Sequence, residues 1–109
     1  MSEPEESAFF ARADAHILLS NEQLADEPGR GKVSASMMFA VARFNAWVSA
    51  SGFQSGEDMA RDREQTIEYF VTQYRAMLEN NLDDYITNFS KYMAIVGGSG
   101  PLRDPAEGP

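Results

Sequence analysis

Four groups of residues in this 109-residue chain are of types that do chemistry, and each is tested by its spacing. The first is His16, the single histidine, with Asp14 and Glu22 nearby in sequence. A histidine metal site wants companions, such as Glu-x-x-His pairs from two helices, and none is present. Asp14 and Glu22 do not share the helical face of His16, and no Gly-x-Ser-x-Gly turn offers a nucleophile. The second is Gly29-Arg30-Gly31-Lys32, which has the look of a phosphate loop. It lacks the spacing, the Ser or Thr after the lysine and a preceding strand, so it reads as an ordinary loop. The third is Glu79 with Asp83 and Asp84. A divalent cation needs convergent oxygens, whereas successive acids on one helix point apart and form a solvated face. Zero Cys removes disulfides, thiolate metal sites and a cysteine nucleophile together. No catalytic, cofactor or metal site follows, and the expectation is a protein that is not an enzyme and carries no cofactor.

The fourth group is Arg43 with Asn45 and Trp47. Arg43 is the one charge in the segment from Val33 to Ser51, which is otherwise apolar or small on every side. A helix apolar all round is normally buried on most sides, so Arg43 is expected to snorkel to solvent or to pair with a carboxylate. Glu68, Glu79, Asp14 and Glu22 are the available partners. Three readings follow: a buried polar network at Arg43, Asn45 and Trp47 that sets helix register, an anionic-ligand pocket anchored by the guanidinium, or an Arg43 that is merely exposed. Six Met, among them Met37, Met38, Met77 and Met93, serve either as core filler or as an adaptable apolar groove.

Pro and Gly divide the elements that must position these residues. Breaks fall at Pro28–Gly31, at Gly52–Gly56 and from Gly97 onward, and the stretches between them have helical rather than alternating periodicity. Helices are expected over about 5–25, 33–51 and 57–96. In the first, Phe9, Ala13, Ile17 and Leu24, with Phe10 and Leu18 beside them, form a stripe at three-and-four spacing. Pro4 suits a first turn, and Glu3, Glu5 and Glu6 suit the positive end of the helix dipole. Ser55-x-x-Asp58 resembles a capping box.

The third segment carries a long stripe: Ile67, Phe70, Val71, Tyr74, Met77, Leu78, Leu82, Tyr85, Ile86, Phe89, Met93 and Val96. Asn80-Asn81 followed by two acids is a stop–start signal, so a kink or split is expected there if the helix breaks at all. The stripe nevertheless keeps its phase through that point. Unbroken, the segment extends ~60 Å, about twice a twenty-residue helix, and its far half overhangs. Leu82, Tyr85, Ile86, Phe89, Tyr92 and Met93 then form an exposed apolar face, and homodimerisation covers it most economically. The expected architecture is an all-α bundle of three helices in a single domain over 1–96, completed by a second copy. Residues 97–109, rich in Gly and Pro, are expected to be disordered.

Net charge narrows the partners. The chain holds 9 Lys+Arg against 17 Asp+Glu, a net −8, which repels phosphate backbones and anionic membrane surfaces. Residues 30–52 nevertheless carry three bases and no acid, and complement acidic neighbours. No apolar run reaches the ~18–20 residues that span a bilayer, and the acidic start lacks the basic and apolar regions of a secretory signal. A cytoplasmic protein is expected.

Several phrases are distinctive as phrases. Gly31-Lys32-Val33-Ser34-Ala35-Ser36 leads into Ala42-Arg43-Phe44-Asn45-Ala46-Trp47. Phe9-Phe10-x-Arg12-Ala13-Asp14-x-His16-Ile17 and Asn21-Glu22-Gln23 precede them. Glu68-Tyr69-Phe70-x-x-Gln73-Tyr74-Arg75-x-Met77-Leu78 and Asn81-Leu82-Asp83-Asp84-Tyr85-Ile86 follow. Over about residues 8–92 the chain resembles the small proteobacterial family catalogued as domain of unknown function 3144. The resemblance implies a bacterial source and no chemistry. What remains is a self-associating interaction or structural module, or alternatively a binding or regulatory protein whose small anionic or apolar ligand sits near Arg43, Asn45 and Trp47.

Overall fold

A computed structural model describes residues 2–96, which form five helices and no strand. They are α1 (Glu3–Gln23), α2 (Arg30–Ala50), α3 (Gly56–Arg61), α4 (Arg63–Thr87) and α5 (Phe89–Val96). The all-α expectation holds, and the count of three helices is corrected to five. The segment 97–109, expected to be disordered, lies outside the described residues.

Local chemistry accounts for each start. The Ser2 hydroxyl accepts from the Glu5 amide at 3.3 Å and donates to Glu5 Oε1 at 2.9 Å, while Pro4 occupies the first turn. The Gly29 carbonyl accepts from the amides of Lys32 and Val33, both at 3.2 Å, and so opens α2 earlier than the apolar pattern alone suggests. The Ser55 hydroxyl accepts from the Asp58 amide at 3.1 Å, as the capping spacing predicts. Because α3 has only six residues, this cap matters to it more than to a long helix. Ser55→Ala is expected to cost about 1 kcal/mol and to fray α3 first, read as faster amide exchange over 56–61.

The long third segment breaks at Asp62 and Asn88, not at Asn80-Asn81. Asp62 sits at φ −97°, ψ 6°; its amide donates to the Met59 carbonyl at 3.1 Å, and its carbonyl accepts from Thr66 at 2.9 Å. One residue therefore closes α3 and opens α4. Asn81, by contrast, turns its amide back onto the Met77 carbonyl at 2.8 Å, a bond formed from inside a helix rather than at its start. That use of the side chain, with the apolar spacing unbroken, carries α4 straight through.

The backbone divides at Met38–Phe39 into two compact units. The first holds α1 and the opening turns of α2, and its Val33, at 5% exposure, is the one buried hydrophobic among the described residues. Phe10, Ala13, Ile17, Leu24 and Met37 are half-buried, and the Ser20 hydroxyl donates to Met37 Sδ at 3.4 Å. The inner stripe of α1 thus runs through Phe10 rather than Phe9, which is exposed, as is Leu18. The second unit holds the rest of α2, α3, α4 and the start of α5, and it contains no buried side chain.

Candidate interaction surface

The second unit presents its apolar side chains outward. On α2, Phe39 is 70% exposed, Phe44 62% and Trp47 65%, with Val41 and Val48 also exposed. The expectation that α2 is buried on most sides is corrected for this chain, since Val33 is its one buried residue. Phe44 and Trp47 cover part of each other, their ring centroids 5.7 Å apart. Phe39, Arg43 and Trp47 fall on one line at four-residue spacing, so the guanidinium stands between two exposed aromatics. Arg43 is exposed and Asn45 half-buried.

Arg43 forms no ion pair among the described residues. The pairs that do form are Lys32–Glu27 at 2.6 Å, Arg61–Asp58 at 2.9 Å, Arg63–Glu64, and Arg75–Glu79 at 3.9 Å. All are solvent-exposed, so each adds at most about 1 kcal/mol. The carboxylates proposed for Arg43 therefore do not reach it within this chain, and the buried network expected at Arg43, Asn45 and Trp47 is not formed by the chain alone.

On α4 the spacing Ile67, Val71, Tyr74, Leu78, Leu82 draws a continuous line along one face, and all five residues are exposed. Ile86 at 72% and Phe89 at 61% extend it past the end of the helix. Glu68, Glu79 and Asp83, at spacings of eleven and four, run along one edge of that line. Of the six residues expected to form a self-association face, Leu82, Ile86 and Phe89 are open to solvent and Tyr85, Tyr92 and Met93 are half-buried.

The half-buried members are held by a joint that sequence reasoning missed. The Asp84 carboxylate accepts from the Asn88 side-chain amide at 2.8 Å and from the Tyr92 hydroxyl at 3.1 Å and 3.2 Å. The Asn88 side-chain amide also donates to the Asp84 carbonyl at 3.1 Å, and the Tyr85 and Tyr92 rings lie 4.8 Å apart, tilted by 54°. Asp84, Asn88 and Tyr92 recur at four-residue intervals, which is the signal that could have placed the break. This joint sets α5 on α4 and aims Phe89 outward. Asp84→Ala is expected to leave α4 folded and to release α5, raising amide exchange over 89–94 roughly tenfold or more, because a charge-assisted hydrogen bond contributes about 1.5–3 kcal/mol.

No helix among the described residues is long and apolar enough to cross a membrane. No three His, Asp or Glu side chains among them converge as metal ligands, and His16 is exposed.

Comparison with known proteins agrees with the resemblance drawn from the sequence. The family described as Protein of unknown function (DUF3144) matches residues 9–86. The chain is also similar to protein NB7890A from a Shewanella species, solved by NMR, at 41% identity and a TM-score of 0.68. That similarity covers 80% of this chain and 92% of the other. No curated protein matches it.

Proposed function

Because the chain belongs to the family described as Protein of unknown function (DUF3144), whose description names no reaction, we propose its role from its own surface: a non-enzymatic, self-associating helical module. The observation that carries this reading is the apolar line from Leu82 through Ile86 to Phe89, open to solvent on a chain whose second unit buries no side chain. Contiguous apolar surface of this kind marks an interaction site, and a twofold pair is the economical way to cover it. The net charge of −8 argues against nucleic acid and anionic membrane as partners. In this reading residues 1–96 act as one folding unit in a bacterial cytoplasm, completed by a second copy.

Light scattering behind size exclusion on the full chain, over a range of concentrations, tests the reading. A mass near 24 kDa, twice the 12.1 kDa of one chain, is expected at micromolar concentration and above. A chain that stays at the single mass throughout overturns it.

A second reading places a small anionic ligand at Arg43, Asn45 and Trp47. It is favoured by the guanidinium standing between two exposed aromatics with no carboxylate on it. Under this reading Arg43→Met folds normally and loses the ligand; under the first it weakens association and binds nothing less.

A further inference from the structure

We infer that the occupant of the exposed α2 face is α4 of a second copy, with the pairing reciprocal, so that each copy lays its Phe39–Trp47 surface against the Leu78–Phe89 line of the other. This rests on the self-association reading and adds to it the surface that meets the α4 line.

Charge selects the pairing. α2 carries Arg30, Lys32 and Arg43 and no acid, whereas α4 carries Glu64, Glu68, Glu79, Asp83 and Asp84 against Arg63 and Arg75. Two α2 faces brought together would set Arg43 against Arg43, and two α4 faces would oppose acidic edges; α2 on α4 opposes unlike charge in both seams. Arg43 lies beside Phe44, and Glu79 and Asp83 flank Leu82, so a seam with Phe44 near Leu82 gives the guanidinium the carboxylate it lacks within its own chain. At the centre of such a seam the pair leaves water, where a matched charge fixes register.

Area supports the same pairing. At 62–70% exposure, the three α2 aromatics alone offer about 400 Å² of apolar surface per copy. Leu78, Leu82, Ile86 and Phe89 bring each copy to roughly the 800 Å² that a stable interface takes from one partner. Either face alone falls short of that. A reciprocal pair uses both faces of both copies, and the twofold then closes.

The experiment uses two full-length variants, Phe44→Glu and Leu82→Lys, each checked for wild-type helicity by circular dichroism and then mixed in equal amounts. Both positions are solvent-exposed in the single chain, so neither change removes a buried contact. In the mixture one seam is entirely wild type and the other sets the new glutamate against the new lysine. The expected result is that each variant alone runs as a monomer and the mixture runs as a dimer, with an affinity at least tenfold above either alone. If Phe44→Glu alone remains dimeric, α2 is outside the interface and the inference is overturned. If Leu82→Lys alone remains dimeric, α4 is outside it, and the inference falls equally. A helical mixture that stays monomeric also overturns the pairing. Should either variant lose helicity, Phe44→Ser and Leu82→Ser take its place, and both must then weaken association for the pairing to stand. A wild-type chain that is itself monomeric instead overturns the self-association reading beneath.

Discussion

Ile86→Lys is expected to leave every helix in place and to dissociate the assembly. Ile86 is 72% exposed in the single chain, so replacing it removes almost no intramolecular packing. It also lies one residue before the end of α4, where a cation is favoured by the helix dipole, and three residues after Asp83, which it can pair with. The substitution is therefore neutral or slightly stabilising for the monomer, and any loss of association reports the face alone. In the seam the new ammonium is desolvated and competes with the partner's Arg43 for Asp83, which costs several kcal/mol on top of the isoleucine contacts it replaces. A loss of at least about 2 kcal/mol is expected, which raises the dissociation constant roughly thirtyfold or more. Sedimentation equilibrium reads it directly. Tyr69→Lys is the matching control: Tyr69 is 60% exposed but lies on the opposite side of α4 from Ile67, Val71 and Leu78, so association should not change.

Val33→Asp is expected to have the largest effect on stability. Val33 is 5% exposed and lies one turn before Met37, whose sulfur takes the Ser20 hydroxyl of α1. The aspartate would be buried without a cation among its half-buried neighbours, at a cost of at least about 3 kcal/mol. Val33→Ala separates the apolar loss from that penalty: two carbons and a partly closed cavity amount to about 1.5–2.5 kcal/mol. Urea unfolding followed by circular dichroism should place the midpoint of the aspartate variant well below that of the alanine variant. If the two variants unfold at the same midpoint, Val33 is not the centre of the first unit.

Much of the local architecture was legible in the sequence. Pro4 and the glutamates around it, the Ser55–Asp58 spacing, and the glycines at 29, 52 and 56 all act within one helical turn. Such short-range chemistry settles helix starts before any tertiary contact forms. The family was legible for a related reason: phrases such as Ala42-Arg43-Phe44-Asn45-Ala46-Trp47 are specific as strings, whatever they do.

The breaks in the long segment were not legible in the same way. Asn80-Asn81 carries a better stop signal than Asp62, yet α4 passes through it. An asparagine side chain bonds equally well to an amide ahead of a helix start or to a carbonyl one turn behind, and only the surrounding packing chooses. At Asn88 the choice depended on a tyrosine hydroxyl reaching back to Asp84 from two turns beyond, a contact that exists only once α5 has turned.

Arg43 marks the deepest limit. Its apolar surroundings left the guanidinium two outlets, solvent or a carboxylate, and residue type settles that much. Which carboxylate answers is a matter of distance, and the tertiary structure places none within reach in the single chain. The apolar periodicity of α2 and α4 was likewise set by residue order, since helical spacing follows from the chain. Whether those faces meet each other within a chain or stand open was decided by where the breaks at Asp62 and Asn88 send the backbone, because burial depends on direction in space and periodicity carries none.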